Sequence, residues 1–287
     1  MCRYNIFVKY KIVSLFSGCG GLDLGFEDSN KFKVIWANEF DQKIIPTYSL
    51  NFPRTTLTNS CITEIPTQNI PDSDGVIGGP PCQSWSIAGK QRGKNDPRGM
   101  LFDTFIEIVG VKKPKFFLAE NVEGFMMTKY NPRYYLEKLA KLGYNVACWR
   151  FNASDFEVPQ DRNRVFIVGY PESYNYFFKI EGSLYPKKSL KDAIWDLRKS
   201  AKSAIKSRKN GKNWAKANPN AINNHEYMKG DFSSHYMSRN RVRSWDEPSF
   251  TIQASGRHAP CHPQSKPFLP VERDKMKFDP ASKTTED

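Results

Sequence analysis

A short proline-containing loop carries the residue best suited to covalent chemistry. The apolar pair Val76–Ile77 leads into Gly78-Gly79-Pro80-Pro81-Cys82, so a strand ends in a stiff turn with a thiol at its tip. The prolines fix φ and remove two backbone donors, so the turn cannot continue as a helix or join a sheet ladder. A cysteine presented in this way is a candidate nucleophile. A buried structural cysteine beside a tight turn is the alternative.

A glycine-rich turn near the start of the chain predicts a nucleotide-type site. Lys11 to Phe16 predicts a buried strand, Ser17-Gly18-Cys19-Gly20-Gly21 a turn, and Leu22 to Glu27 the start of a helix. Strand, glycine turn and helix together open many nucleotide-binding α/β domains. The next strand, Lys33 to Ala37, ends in Asn38-Glu39, and an acidic residue there can hydrogen-bond ribose hydroxyls. An ordinary strand-to-helix turn is the alternative.

Strands and helices alternate as far as residue 170. Further strands are predicted at Asp74–Ile77, Lys115–Ala119, Asn145–Phe151 and Arg164–Tyr170, and helices at Gln42–Asn51, Met100–Val109 and Pro132–Leu142. This order predicts an α/β fold, with a Rossmann-like, mostly parallel sheet and helices on both faces. Ligands of such sheets bind at the carboxyl ends of the strands. The glycine turn, Glu39, Cys82 and Glu120 each follow a strand, so we expect them to share one rim.

The region after Tyr170 is basic and irregular. The chain carries a net charge of +13, and residues 187–229 contain twelve Lys or Arg and three Asp or Glu. Such a surplus favours a polyanionic partner, nucleic acid first and an anionic membrane second. Ser189 is a candidate cap for a helix over Leu190–Lys199. Residues 239–243 and 250–255 alternate like strands, which places three arginines on one face, where they suit phosphate or guanine contacts: Arg239, Arg241 and Arg243. The last twenty residues show no periodic pattern.

Several classes of protein are disfavoured by composition. No apolar run approaches the roughly 20 residues of a membrane span, and the first sixteen residues do not resemble a signal peptide. The six cysteines form no C-x-x-C pair, so neither a zinc site, another metal site nor a disulfide framework is predicted. Reduced thiols favour a cytoplasmic location.

Five ordered motifs resemble those of the DNA (cytosine-5) methyltransferases, and the C-terminal third resembles the bacterial GGCC-modifying branch of that family. Together they extend over roughly residues 11 to 264. The motifs are Phe16-Ser17-Gly18-Cys19-Gly20-Gly21, Pro80-Pro81-Cys82-Gln83, Glu120-Asn121-Val122, Gln160-Asp161-Arg162-Asn163-Arg164 and the block from Arg241 to Ile252.

The resemblance implies S-adenosylmethionine as the methyl donor. It places the glycine turn at the methionine end, Glu39 at the ribose and Phe40 beside the adenine. At a position where the family often has an acidic residue for the adenine amino group, this chain has Cys61. The cofactor-binding residues that the resemblance implies are Phe16, Ser17, Gly18, Gly20, Gly21, Leu22, Glu39, Phe40, Cys61, Ile62, Gly79, Pro81 and Leu101.

The resemblance also implies duplex DNA as substrate, in a restriction-modification system, with the target cytosine flipped out of the stack. Cytosine C5 is a poor nucleophile, and addition of a thiolate to C6 activates it, which is the role expected of Cys82. Glu120 is expected to protonate or hydrogen-bond N3 if burial raises its pKa. The resemblance places Arg164 near the cytosine O2 and Arg162 near the cysteine or a phosphate. Expected DNA contacts are Gln83, Ser84, Ser86, Arg239, Arg241, Arg243 and Arg257.

The resemblance predicts two domains, a cofactor-binding catalytic domain over 1–185 and a target-recognition domain over 186–287. The family's Gly-Asn-Ala/Ser-Val-type motif, on a C-terminal helix that returns to the cofactor pocket, is not found in this sequence. We therefore expect either a truncated protein or a second polypeptide that supplies this part. A DNA-binding pseudo-enzyme and a transfer-RNA methyltransferase are the remaining alternatives, and the long basic segment favours DNA.

Overall fold

Seven strands form one sheet in the computed structural model. The model describes residues 9–81, 100–126, 132–175, 186–200, 242–252 and 263, and short strands at 202–203, 205–209, 212–216, 226–227, 268–272 and 275–278. The strands of the sheet are β1 (Tyr10–Leu15), β2 (Phe32–Asn38), β3 (Thr56–Thr58), β4 (Gly75–Gly78), β5 (Phe116–Val122), β6 (Tyr144–Asn152) and β8 (Asn163–Pro171). The helices around it are α1 (Gly21–Asp28), α2 (Ile45–Asn51), α3 (Met100–Lys112) and α4 (Pro132–Ala140).

The sheet is mostly parallel, with the strand order β3-β2-β1-β4-β5-β8-β6. The pairs from β3 to β5 are parallel, and β8 is antiparallel to β5. The strand order reverses direction between β1 and β4, which is where open α/β sheets bind their ligands. The predicted Rossmann-like α/β fold is confirmed.

Adjacent residues of the central strands pack into cores on opposite faces of the sheet. Ile12, Val34 and Ile77 pack with residues of α1 on one face. Val13 and Val76 contribute to the larger core, which includes residues of α3 and α4. Because successive side chains of a strand point to opposite faces, these apolar runs are buried on both sides. Helices therefore cover both faces, as predicted.

The chain divides into two compact units. The first unit comprises Met1–Phe151 and Asn163–Ile180, and the second comprises Asn152–Arg162 and Glu181–Asp287. The second unit thus includes a segment, 152–162, that precedes the last strand of the sheet. The domain boundary predicted at residue 185 stays a prediction.

The second unit contains short strands and one short helix among its described residues. Ser189 caps α5 (Leu190–Ile194) through a capping box with Asp192, as predicted, but the helix continues only as a 3-10 turn to Leu197. The strands are β7 (Gln160–Asp161), β9 (Lys202–Ser203), β10 (Ile205–Lys209), β11 (Lys212–Lys216), β12 (Glu226–Tyr227), β13 (Ser249–Phe250), β14 (Phe268–Glu272) and β15 (Lys275–Phe278). β14 and β15 pair as an antiparallel hairpin in a region for which no periodic pattern was predicted.

Candidate active site

The glycine turn after β1 adopts a backbone that few residues tolerate. Phe16, Gly18 and Gly20 have φ angles of 55°, 56° and 87°. Gly20 is the N-cap of α1, and its N–H donates to the Ser17 carbonyl at 2.9 Å. The Ser17 N–H donates to the Asn38 carbonyl at 2.9 Å, so the turn is bound to the end of β2. Phe16 is a non-glycine residue in the left-handed region, which is uncommon and concentrates at functional sites.

The open side of this turn fits an anionic, amino-acid-like group. The Ser17 Oγ is buried and has no hydrogen-bond partner among the described residues. No atom lies within 4 Å of where a Cβ would stand on Gly18 or Gly21. The N-cap residue of α1, Gly20, has no side chain to cap the helix, so the start of α1 is open to an anion. An orphaned hydroxyl, a bare cradle and a helix N-terminus match the methionine end of S-adenosylmethionine.

Glu39 lies directly against the glycine turn. Its Oε2 accepts from the Gly18 N–H at 2.8 Å, and its Oε1 accepts from the Asp41 N–H at 2.7 Å. The next residue, Phe40, leaves 71% of its surface exposed, and the Asn59 amide donates to the carbonyls of both Glu39 and Phe40. The structure therefore brings together the predicted ribose-binding carboxylate, an exposed aromatic ring and the turn. The ligand contacts themselves stay predictions.

The remaining predicted cofactor residues divide into half-exposed and buried groups. Cys61 is half-buried and its Sγ lies 3.1 Å from the Thr63 Oγ1. The Ile62 side chain is 3% exposed and belongs to the larger core. Leu22 and Leu101 are partly buried against the two cores. Ile62 thus holds the segment after β3 in place, and any contact with a cofactor would come from its backbone.

Asn121 anchors the loop that carries the candidate nucleophile. β4 ends at Gly78, and the Asn121 Nδ2, 4% exposed as a residue, donates to the Pro80 carbonyl at 3.3 Å. The Asn121 Oδ1 accepts from the Val122 N–H at 2.9 Å. Pro81, a predicted cofactor contact, is half-buried, while Cys82, Gln83, Ser84 and Ser86 lie outside the described residues. Sequence reasoning noted the Glu-Asn-Val motif but missed this role for its asparagine.

Glu120 and Arg164 form an ion pair across two neighbouring strands. The Arg164 Nε lies 2.9 Å from the Glu120 Oε1, with side-chain exposures of 20% and 29%. Glu120 lies opposite Phe166 in the register, so Arg164 is its diagonal neighbour on the same face. The Glu120 Oε2 also lies 3.3 Å from where a Cβ of Gly79 would stand. The two predicted catalytic side chains and the loop after β4 are therefore adjacent.

One expectation about Glu120 is corrected by this geometry. We expected it just past the end of a strand, but β5 continues to Val122 because β8 pairs with it through that residue. Its role as a proton or hydrogen-bond donor to N3 stays a prediction; the side chain is partly exposed and faces a guanidinium. The pairing with β8 joins residues far apart in sequence, so a local pattern could not reveal it.

In the second unit, Arg243 is bound internally. Its guanidinium contacts the Glu247 carboxylate at 2.8 Å and the Asp161 carboxylate at 3.2 Å, and lies 4.0 Å from the centre of the Phe250 ring. Hydrogen bonds from Ser244 and Arg243 lower the pKa of the Glu247 carboxyl, those from the Ser244 backbone most. The predicted DNA contact of Arg243 stays a prediction, but its side chain already bridges two carboxylates.

Asp161 connects this cluster to the predicted catalytic segment. Its Oδ1 accepts from the Asn152 amide at 2.7 Å, and the Asn152 Oδ1 accepts from the Arg162 N–H at 3.1 Å. β7 and β13 pair in parallel, with Asp161 opposite Phe250. The backbone around Arg162 is thus fixed on both sides. Three further predicted DNA contacts, Arg239, Arg241 and Arg257, lie outside the described residues.

A buried carboxylate in α1 was not predicted at all. Asp23 is 0% exposed and accepts hydrogen bonds from the Ser14 Oγ and the Tyr48 Oη, both at 2.6 Å. Burial raises the pKa of the Asp23 carboxyl, and these two hydrogen bonds oppose that rise. The only sequence signal was an acidic residue inside an otherwise apolar stretch, Leu22 to Phe26.

Comparison with known proteins places this chain in a family. Residues 10–285 match the family model described as C-5 cytosine-specific DNA methylase. The chain belongs to that family. It is therefore a DNA (cytosine-5) methyltransferase, and the predicted family and enzyme class are confirmed.

Individual relatives agree with this assignment. The chain is 48% identical over 273 residues to the Type II methyltransferase M.MthTI of Methanothermobacter thermautotrophicus, across 94% of this chain and 80% of that protein. It is 46% identical to the Type II methyltransferase M.FnuDI of Fusobacterium nucleatum, across 93% and 77%. A crystal structure of an E. coli prophage protein described as a DNA modification methyltransferase superposes with a TM-score of 0.61 at 25% identity, across 94% and 86%. These relatives support the Type II, restriction-modification class of the enzyme.

Two kinds of feature are absent from the described residues. None of their helices combines the length and apolar character that a membrane crossing requires. They also contain no group of three or more His, Cys, Asp or Glu side chains arranged to hold a metal ion.

Proposed function

We propose that this methyltransferase transfers a methyl group from S-adenosylmethionine to C5 of a flipped cytosine, through a covalent adduct between Cys82 and C6, within a GGCC-type site. The observation that carries the proposal is that Glu120 and Arg164 lie next to the loop after β4. Asn121 holds this loop by a hydrogen bond to the carbonyl of Pro80, two residues before Cys82. The proposal is supported because an acid–base group and a cation lie beside the loop that leads to Cys82, so that one pyrimidine could meet all three.

The reaction requires the Cys82 thiolate to form a bond to C6, which makes C5 nucleophilic. S-adenosylmethionine supplies an electrophilic methyl group on a sulfonium, and would be held by the glycine turn, Glu39 and Phe40. Glu120 meets N3, where charge builds as the thiolate adds, and Arg164 meets O2. The ion pair positions the Glu120 and Arg164 side chains before the cytosine enters the site, so neither side chain has to be ordered during the reaction. A base then removes the C5 proton, C5–C6 becomes a double bond again, and the thiolate leaves. We assign the base to water or hydroxide.

The covalent step is tested with duplex DNA containing 5-fluorocytosine at the target. A base cannot remove fluorine from C5 as it removes a proton, so with S-adenosylmethionine present the methylated adduct with Cys82 should persist and migrate as a DNA–protein complex in denaturing gels. We expect Cys82→Ala to form no complex and Cys148→Ala to form as much as wild type. Burial raises the pKa of the Cys148 thiol, whose Sγ contacts the Met126 sulfur, so this cysteine is a suitable control. Equal complex formation by Cys82→Ala would refute the adduct.

The role of Glu120 is tested against a second glutamate of the same segment. Loss of a positioned acid–base group costs about 10²- to 10⁴-fold in rate. We expect Glu120→Gln to lower kcat by a factor in this range. Glu123→Gln removes a carboxylate whose exposed ion pair with Arg150 spans 2.6 Å, and should leave kcat within about twofold of wild type. Equal effects of the two substitutions would refute the assignment.

DNA binding by the second unit is supported by its charge. β10 and β11 form an antiparallel hairpin whose ten residues include five Lys or Arg and no acidic residue. The GGCC-type target comes from the resemblance of the C-terminal third, and bisulfite sequencing of DNA from cells that express the protein would test it. Methylation centred on a different core sequence would refute this part of the proposal.

The expected second polypeptide and the cytoplasmic location also stay predictions. Calorimetric titration of this chain with S-adenosylmethionine tests the first. Binding that appears only after a second polypeptide is added would support it, and full affinity of this chain alone would refute it.

A further inference from the structure

The floor of the glycine turn is an aromatic ring supplied by a residue just after α2. A Cβ on Gly20 would stand 2.1 Å from the Phe52 Cε2, so this ring fills the space directly beneath the turn. Phe52 is only 6% exposed and packs in a small core with Ala37 and Tyr48. The backbone of Gly20 therefore rests on a ring that has little room to withdraw.

That ring is in turn held by Tyr48. The Tyr48 and Phe52 rings stack with centroids 4.8 Å apart and planes 28° apart. The Phe52 N–H also donates to the Tyr48 carbonyl at 2.8 Å. A displacement of Tyr48 would therefore move Phe52 and, with it, the support beneath Gly20.

Asp23 fixes Tyr48 through a short buried hydrogen bond. The Ser14 Oγ donates to the Asp23 Oδ1 and the Tyr48 Oη to the Asp23 Oδ2, both at 2.6 Å, a distance typical of O–H···O⁻ hydrogen bonds. Ser14 is the penultimate residue of β1, Asp23 lies in the first turn of α1, and Tyr48 lies in α2. One carboxylate thus joins the strand before the glycine turn, the helix after it and the helix beneath it.

We propose that Asp23 is a positioning residue of the methyl-donor site, which acts through Tyr48 and Phe52 to hold the glycine turn in its cofactor-binding conformation. This inference rests on the proposed binding of S-adenosylmethionine at that turn. It assigns no contact between Asp23 and the cofactor or the DNA. Its consequence is that a hydroxyl far from the chemistry controls the affinity for the methyl donor more than the rate of methyl transfer.

Tyr48→Phe is the direct test, because it removes the hydrogen bond to Asp23 and keeps the stacked ring. Tyr144→Phe is a matched control in the same unit: Tyr144 is 4% exposed and its Oη donates to the Pro114 carbonyl at 2.8 Å. Both substitutions remove one buried, hydrogen-bonded hydroxyl and keep the ring. We expect Tyr48→Phe to raise the Kd and KM for S-adenosylmethionine about tenfold, or about 1.4 kcal/mol. The kcat at saturating cofactor and the Kd for DNA should stay within about twofold.

The control separates positioning from general loss of stability. We expect Tyr144→Phe to lower Tm and to leave the Kd and KM for S-adenosylmethionine unchanged. Equal cofactor affinities for the two variants would overturn the inference. No binding by wild type, either alone or with the expected second polypeptide, would overturn the proposed function, and with it this inference.

Two further variants keep the inference testable if Tyr48→Phe does not fold. Ser14→Ala removes the other hydrogen bond of Asp23, and Phe52→Leu removes the ring beneath Gly20 while leaving the carboxylate cluster in place. Each should weaken cofactor binding relative to Tyr144→Phe. Unchanged cofactor affinity in both would contradict the inference.

Discussion

Substitution of Gly20 by alanine tests the geometry of the cofactor turn most directly. A left-handed backbone costs a non-glycine residue about 1–2 kcal/mol, and Gly20 has a φ of 87°. The added Cβ would also stand 2.1 Å from the buried Phe52 ring, and overpacking of a core costs about 1–3 kcal/mol. We therefore expect Gly20→Ala to destabilise the protein by about 2–5 kcal/mol, which corresponds to a fall in Tm of about 4–20 °C.

Substitutions at the neighbouring Gly18 and Gly21 separate the cost of the left-handed backbone from the cost of the steric clash. Gly18 has a φ of 56° but no atom within 4 Å of its missing Cβ, so Gly18→Ala should carry the conformational cost alone. Gly21 lacks both features, and Gly21→Ala should leave the Tm of the unliganded protein nearly unchanged. Both substitutions fill the cradle, however, so both should weaken binding of S-adenosylmethionine measured by calorimetry.

A double-mutant cycle identifies the steric partner. In the double variant Gly20→Ala/Phe52→Leu, the smaller leucine side chain should relieve the clash with the new Cβ. The double variant should therefore lose about 1–3 kcal/mol less stability than the sum of the losses of the two single variants. Thermal unfolding of the four proteins gives this coupling. The reasoning is refuted if Gly20→Ala destabilises no more than Gly18→Ala, or if the two losses are additive.

Three other predictions concern charged groups. We expect Arg243→Gln to lower Tm, because it removes the guanidinium that bridges Asp161 and Glu247. It should leave the salt dependence of DNA binding unchanged; a slope reduced by about one would instead indicate a phosphate contact. Replacing four cations of the β10–β11 hairpin by Gln should reduce the slope of log K for DNA binding against log salt concentration by about 3–4. The same change at four exposed lysines of the first unit should leave this slope unchanged. The hairpin set is Lys206, Arg208, Lys209 and Lys212, and the control set is Lys9, Lys31, Lys33 and Lys141. A hydrogen bond from Lys115, followed by one from the Lys11 backbone, lowers the pKa of Asp74 below its ordinary 3.8. The ionised Asp74 carboxylate therefore stabilises the fold above pH 3.8, and this stabilisation is lost as the pH falls through the lowered pKa. Thermal unfolding should show that Asp74→Asn lowers Tm at neutral pH, and that the difference in Tm from wild type shrinks in acid.

Local sequence patterns were sufficient to predict most of the sheet. The apolar run before Ser17 and the glycine turn after it predicted β1 and α1, and the acidic end of the next strand correctly placed Glu39 beside the turn. These features depend on short-range rules of strand burial and helix entry. The sharing of an edge by the loops after β1, β2 and β4 followed from parallel topology alone.

The parts that were missed depend on contacts between residues distant in sequence. The two hydrogen-bond partners that satisfy the buried Asp23 carboxylate are nine and twenty-five residues away in sequence. Glu120 lies within β5 because β8 extends the ladder, and Arg243 is bound by a carboxylate eighty-two residues away. A pattern of alternating arginines predicts a charged strand over residues 239–243, most of which lie outside the described residues, and it does not show whether the charges face DNA or an internal carboxylate.

The position of β8 in the sheet has a consequence for the order in which the protein becomes active. β8 is the last strand of the sheet to be synthesised, yet it lies between β5 and β6. β6 therefore has no place in the sheet until residues 163–171 have left the ribosome, and non-local strand insertions of this kind are slow steps in folding. Because Arg164 lies at the start of β8, the ion pair with Glu120 forms only when that strand is inserted. The nascent chain can thus form its glycine turn early, but it gains the proposed catalytic pair, Glu120 and Arg164, only when the sheet is complete, and we expect an unfinished chain not to modify DNA.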